Sequence, residues 1–195
     1  MNEWDANSKE LAHIGLCNDK KHFNFQMWNR WIKPYLKADD KIVLDYGCGG
    51  GLFFEWLIDN YNPTFYIALD VSERSLKECE RVVRSHNKQW SCSFYKIPDE
   101  MTKSKPNIIV CNAVIQHMTL GQFNKFRQFC DHSGANDLFI QIRWSDELVY
   151  NPNVLIKRLS LDGIDFNNYE LIHSSDVLKN GYKFLHYELL RNHTS

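Results

Sequence analysis

The sequence predicts an α/β fold, a mostly parallel sheet with helices on both faces and the last strand running against the others. Three observations carry that expectation. Short apolar runs ending at Asp45, Asp70 and Cys111 alternate with helical patterns, and strand–helix–strand alternation means parallel strands joined by right-handed crossovers. The last two strand-like runs, Tyr169–His173 and Tyr182–Leu190, have only a short connection between them, which suggests one reversed member. With 195 residues, 44% hydrophobic and 24% charged, the chain is long enough for one sheet covered on both faces and ordinary in composition for a folded protein.

Residues 1–21 are polar and weakly patterned, an arm or short helix. From His22 to Lys33, Phe25, Trp28 and Ile32 recur at helical spacing with Trp31 beside them, until Pro34 bends the helix ahead of a turn at Ala38-Asp39-Asp40. Residues 1–40 are thus set apart from a main domain over 41–195. A strand over about 41–46 leads to a helix at 52–60 that is apolar nearly all round and should be deeply packed. Phe65–Leu69 is the second strand, ending at Asp70. Ser72 can cap the next helix, with Leu76, Cys79 and Val83 facing inward. Trp90–Tyr95 is the third strand, and Asn107–Cys111 is a continuous apolar run suited to a strand buried on both faces. Thr119 and Gln122 have capping-box spacing ahead of Phe123, Phe126 and Cys130. Leu138–Ile142 is the fifth strand, and a short helical turn at 175–180 separates the two closing strands.

The bulk properties exclude several classes. The net charge is −1 and no long Lys/Arg run occurs, which argues against a broad nucleic-acid footprint. The acidic, polar start has no secretion-signal pattern, and no apolar run approaches membrane-spanning length. Cys17, Cys48, Cys79, Cys92, Cys111 and Cys130 are scattered, without a C-x-x-C pair or a Cys/His quartet. Buried thiols in a reducing compartment fit that spacing, and the chain reads as cytoplasmic. Cys48 reads as a small residue in a crowded turn rather than a nucleophile.

The most informative stretch is Ile42-Val43-Leu44-Asp45-Tyr46-Gly47-Cys48-Gly49-Gly50-Gly51, a β-branched run, an acid, and a glycine loop opening into a helix. In an open α/β sheet ligands bind beyond the strand ends, and glycines let the backbone approach them closely. The dinucleotide template G-x-G-x-x-G fits only in part, since it puts Leu52 at the third glycine. The pattern acid-x-G-x-G-x-G is filled completely by Asp45, Gly47, Gly49 and Gly51. In this the chain resembles the class I S-adenosylmethionine (SAM) dependent methyltransferases of small-molecule type. By motif order the resemblance runs over about residues 40–190. It implies a Rossmann-like, doubly wound, seven-stranded sheet, SAM as cofactor and S-adenosylhomocysteine as product.

The resemblance also assigns residues. The loop from Asp45 through Tyr46, Gly47, Cys48 and Gly49 to Gly51 would hold the amino-acid end of SAM. Asp45 either takes the amino group, directly or through water, or only accepts backbone N–H bonds that shape the turn. Asp70, followed by Val71, lies about 25 residues beyond Asp45 at the end of the adjacent strand, where a carboxylate can accept from both ribose hydroxyls. Asn112 and Ala113 would line the sulfonium side. His117 either serves as the catalytic base for a hydroxyl nucleophile or orders the entry to the next helix. The acid expected after the third strand is missing, and Tyr95-Lys96-Ile97-Pro98 stands there. Ile97 then packs on the adenine, or a backbone group reads its amine. Arg143 and Trp144 face the substrate side, Arg143 toward an acidic group or toward Asp146 or Glu147. By analogy the N-terminal arm and its helices could fold over the cofactor as a lid, although the Phe25–Trp28–Ile32 stripe suits core packing. The segment 145–168 is the expected specificity insert.

No Asn-Pro-Pro-aromatic run follows the fourth strand, and Cys111 lacks a preceding Pro, unlike the DNA base methyltransferases. The expectation is a methyltransferase, with no metal, that moves the SAM methyl group to an O or N atom of a small-molecule acceptor. The alternatives are a non-catalytic SAM-binding protein, an NAD(P)-dependent oxidoreductase and an RNA methyltransferase.

Overall fold

The computed structural model describes residues 23–37, 42–86, 91–97, 105–143, 164–177 and 181–190. The arm at 1–21, Trp90, Asp99, Trp144 and most of the 145–168 insert lie outside the described residues. The seven strands make a mostly parallel sheet with the last strand antiparallel. By its contacts the chain divides into two compact units, Met1–Ser104 and Lys105–Ser195.

In the first unit, α1 (Phe23–Trp31) and a 3-10 turn (Lys33–Tyr35) precede β1 (Ile42–Tyr46), α2 (Leu52–Asn60), β2 (Phe65–Asp70), α3 (Glu73–Ser85) and β3 (Ser91–Lys96). The strands run parallel in the order β3-β2-β1, with Asp45 opposite Ala68 and Asp70 opposite Lys96. The aromatic stripe of α1 is core. Trp28 meets Phe53 edge-on at 5.1 Å and Trp56 at 5.8 Å, and Trp56 Nε1 donates to Asn29 Oδ1 at 3.0 Å. Phe25, Trp28 and Ile32 are buried with them, so α1 and α2 bury a shared aromatic wedge, with edge-to-face geometry adding to the area term. Leu52, Phe53, Phe54, Trp56, Leu57 and Ile58 of α2 are all buried, as its apolar circumference predicts.

Ser72 caps α3, its Oγ accepting from Ser75 N at 3.1 Å. The buried stripe there is Leu76, Cys79 and Val82, and Val83 is only half-buried, a correction of one position. After Cys79 the inward face continues at i+3 rather than i+4, a choice that helical spacing leaves open and packing makes. The opposite face carries the Glu73–Lys77, Glu78–Arg81 and Glu80–Arg84 pairs.

The second unit holds β4 (Ile108–Asn112), a 3-10 turn (Ile115–His117), α4 (Leu120–Ser133), β5 (Asp137–Arg143), β6 (Tyr169–Ser174) and β7 (Tyr182–Leu189). Its order is β4-β5-β7-β6, with β4 and β5 parallel and β7 antiparallel to both of its neighbours. Thr119 and Gln122 form the capping box: Gln122 N donates to Thr119 Oγ1 at 3.3 Å and Thr119 N to Gln122 Oε1 at 2.7 Å. Residues 175–177 are not helical: Ser175 N donates to Phe184 O at 2.9 Å and Phe184 N to Ser175 Oγ at 3.0 Å, which ties the start of the connection back to the hairpin. The remainder of that turn, 178–180, lies outside the described residues. Among the described residues the cysteines are free thiols, and no helix is long and apolar enough to cross a membrane.

Candidate functional site

The loop between β1 and α2 turns on three left-handed glycines, Gly47 (φ 79°), Gly49 (φ 51°) and Gly51 (φ 92°). A side chain is disfavoured at each, because a Cβ in that region crowds the following carbonyl. Space differs between them. A Cβ on Gly51 would lie 3.3 Å from both Cα and Sγ of Cys79, so this glycine lets α3 close against the loop. A Cβ on Gly49 would meet nothing within 4 Å, so the crest of the loop borders open space. The loop N–H groups are largely used internally. Gly47 N and Cys48 N both donate to Leu69 O (2.7 and 3.0 Å), and Gly51 N donates to Cys48 O at 3.0 Å. The N–H groups of Gly47, Cys48, Gly49 and Gly51 are thus used within the fold, and the glycines serve the path of the chain.

Asp70 ends β2 beside that crest. Its Oδ2 accepts from Gly49 N at 3.0 Å and its Oδ1 from Ser72 N at 2.8 Å. Backbone donors thus fix the carboxylate from both sides. Ile97 N donates to Asp70 O at 3.0 Å, so the turn after β3 is tied to the same point. Val71 and Ile97 are half-buried next to it.

Asp45 lies deeper, at 1% exposure, and its Oδ2 accepts from the hydroxyl of Tyr66 at 2.7 Å. Burial pushes its carboxyl up to about 7; the Tyr66 hydrogen bond opposes the rise and the Asp70 charge adds to it. Tyr66, fully buried, is held well above the ordinary phenol range, by burial first and then by the charge of Asp45. Cys48 is raised as well, first by its hydrogen bond with Cys79 and then by burial, and its side chain is packed in the turn at 6% exposure. Tyr46 is 4% exposed and belongs to the core.

At the C-terminal ends of β4 and β5, Asn112 pairs with Gln141. The next residue, Ala113, has φ 56° and donates its N–H to Gln141 O at 2.7 Å. A non-glycine residue in the left-handed region costs about 1 kcal/mol or more and persists where surroundings impose it, often at ligand sites. Asn112 and Ala113 are half-buried, and His117 ends the 3-10 turn with its side chain exposed. Arg143 ends β5 opposite Tyr182.

The nine predicted positions of the first unit (Asp45, Tyr46, Gly47, Cys48, Gly49, Gly51, Asp70, Val71 and Ile97) thus converge on adjoining strand ends and the loop between them. Asn112, Ala113 and His117 follow one another at a strand end of the second unit. Tyr66 and Cys79 carry no signal in the sequence that would mark them. Both sit at core positions of their elements, and only the fold brings them against Asp45 and the glycine loop.

Residues 44–134 match a family described as "Methyltransferase domain". No curated protein sequence matches. Solved structures are similar over nearly the whole chain. The magnesium protoporphyrin IX methyltransferase (ChlM) of Synechocystis PCC 6803 with bound SAH is 13% identical, covers 95% of this chain and 96% of its own, and has a TM-score of 0.65. A SAM dependent methyltransferase from Aquifex aeolicus is 12% identical over 93% of this chain and 98% of its own, with a TM-score of 0.66. A chain from the complex between the Haloferax volcanii Trm112 methyltransferase activator and the putative methyltransferase is 10% identical, with coverage of 98% and 96% and a TM-score of 0.68.

Proposed function

We propose that this chain is a class I SAM-dependent methyltransferase that moves the methyl group of its cofactor to an O or N atom of a small-molecule acceptor, a reading supported by the methyltransferase-domain match over residues 44–134 and by the fold it shares with SAM-dependent methyltransferases. The observation that carries the reading is the glycine crest at Gly49, open on its outer side and tied by its N–H to Asp70. A nucleoside with an amino-acid tail fits that arrangement, with the tail along the loop and the ribose at the carboxylate.

When bound, SAM supplies a methyl group made electrophilic by the adjacent sulfonium. The residues of the chain bind and orient. Asp70, oriented by Gly49 N and Ser72 N, accepts from the ribose hydroxyls. Asp45 supplies the negative charge that pairs with the tail's ammonium. Ile97 packs on the adenine. Asn112 and Ala113 line the sulfonium side, and the constrained backbone at Ala113 fixes where they point. Methyl transfer is an in-line displacement, so holding the acceptor atom in line with the sulfonium supplies much of the rate. His117 takes the proton of a hydroxyl acceptor, its exposure giving it access to incoming substrate. Arg143 and Trp144 provide acceptor contacts. Support for a small molecule over nucleic acid comes from the net charge of −1 and the absence of a basic run.

Calorimetry with S-adenosylhomocysteine tests the cofactor site, and release of that product against a metabolite library tests the acceptor. Binding of NAD(P) in place of S-adenosylhomocysteine would refute the cofactor assignment. Turnover confined to RNA would refute the acceptor class.

A further inference from the structure

We propose that Tyr66 is a positioning residue for cofactor binding: its hydroxyl holds the Asp45 carboxyl beneath the glycine loop, and that carboxyl gives up a proton to solvent when the ligand's ammonium docks. The proposal rests on the cofactor reading above and adds a residue and a proton to it.

The geometry comes from strand register. Val43 pairs with Tyr66 and Asp45 with Ala68, so Tyr66 lies two residues behind the acid's own partner on the same face of β2. Ala68 carries only a methyl group, which leaves room for the Tyr66 ring to reach diagonally forward to Asp45 Oδ2 at 2.7 Å. Phe54 of α2 packs on that ring at 5.0 Å and holds it there. Both partners are essentially out of solvent, Tyr66 at 0% and Asp45 at 1% exposure.

The partner's chemistry matters. An Arg or Lys at this position would neutralise the carboxylate and repel an ammonium. A phenol orients one oxygen and adds no positive charge. The groups bearing on the pair from β2, the loop and α3 are Asp70, Cys48 and Cys79, all neutral or acidic. Without a ligand, burial and the Asp70 charge leave the proton on Asp45 up to about pH 7. A docked ammonium favours the charged form, so the carboxyl becomes a carboxylate paired with ligand and one proton passes to water. The balance is one neutral carboxyl plus one cationic tail giving an ion pair plus a proton.

The test is calorimetry of S-adenosylhomocysteine binding to the full chain between about pH 6 and 7.5, in buffers of differing ionisation enthalpy. For an acid titrating near 7, the apparent affinity tightens roughly eightfold over that range, with proton release. Asp45→Asn abolishes both while retaining the ligand's own titration as a control. Tyr66→Phe keeps the ring against Phe54 and removes the donor, so the midpoint moves to higher pH and more protons are released at pH 7.5. Replacing Tyr66 with 3-fluorotyrosine, nearly equal in shape and a stronger donor, moves the midpoint down and keeps the question answerable if Tyr66→Phe fails to fold. A purely structural tyrosine would change stability and leave the proton count alone. Wild-type binding that ignores pH, or a midpoint that ignores the replacements at Tyr66, would overturn the proposal while the cofactor reading stands. No binding by the wild type at any pH would instead refute the cofactor reading.

Discussion

Replacing Asp45 with Asn should make the protein's stability markedly less dependent on pH, and the structure sets the size of the effect. The carboxyl rises from 3.8 to about 7 on folding, with burial as the main cause. Between those values the folded state binds a proton that the unfolded state has already lost. Stability therefore falls as pH rises from about 4 and the contribution is gone above about 8. Each pH unit between the unfolded and folded values is worth about 1.4 kcal/mol, so the full span is roughly 4 kcal/mol, of which about 3 kcal/mol falls between pH 4.5 and 8. An amide has nearly the same shape, can still accept from the Tyr66 hydroxyl through its oxygen, and does not titrate. Any constant cost of the exchange cancels when the difference between mutant and wild type is followed with pH. Urea denaturation of both proteins at intervals across that range is the assay, with stability read by linear extrapolation. The mutant should gain about 3 kcal/mol on the wild type from pH 4.5 to pH 8. A flat difference would mean that Asp45 ionises at an ordinary carboxylate pKa, and the account of a buried, proton-holding acid would be wrong.

Three further sets of substitutions bear on the site. Asp70→Ala removes the acceptor for Gly49 N and Ser72 N together with the ribose contact; S-adenosylhomocysteine affinity should fall by more than tenfold in calorimetry, since charge-assisted bonds are worth about 1.5–3 kcal/mol each. Gly51→Ala and Gly49→Ala both place a Cβ at positive φ, but only the first also crowds Cys79 at 3.3 Å; thermal unfolding should show Gly51→Ala losing about 2 kcal/mol or more and Gly49→Ala about 1 kcal/mol, and the reverse order would contradict the loop geometry. His117→Ala should lower kcat by about 10²-fold or more with a hydroxyl acceptor if the imidazole takes the proton; a kcat unchanged across pH would leave His117 with loop ordering alone.

Much of this protein was legible along the chain because the relevant rules are local. The acid-x-G-x-G-x-G run announces a turn that needs left-handed backbone, and Gly47, Gly49 and Gly51 all have positive φ. Ser72 and Thr119 cap the helices that their spacing promised. An acid at the end of β2 is a matter of counting from one strand end to the next, and Asp70 stands there, bonded to the loop.

What the linear order could not state is which side chains meet across elements. Tyr66 looks like any aromatic residue in a buried strand; only the register of β2 against β1 points its hydroxyl at Asp45. Cys79 reads as one more apolar position of α3 until packing brings it against Gly51, and whether the inward stripe continued to Val82 or Val83 was open until the helix met its neighbours. Local pattern therefore determined the sheet, the loop and the two acids at its edge, because dihedral preference and periodicity act between near neighbours. The depth at which Asp45 lies, and with it the pH at which it holds its proton, was decided by the tertiary structure alone, because desolvation depends on everything packed around a group and on nothing beside it in the chain.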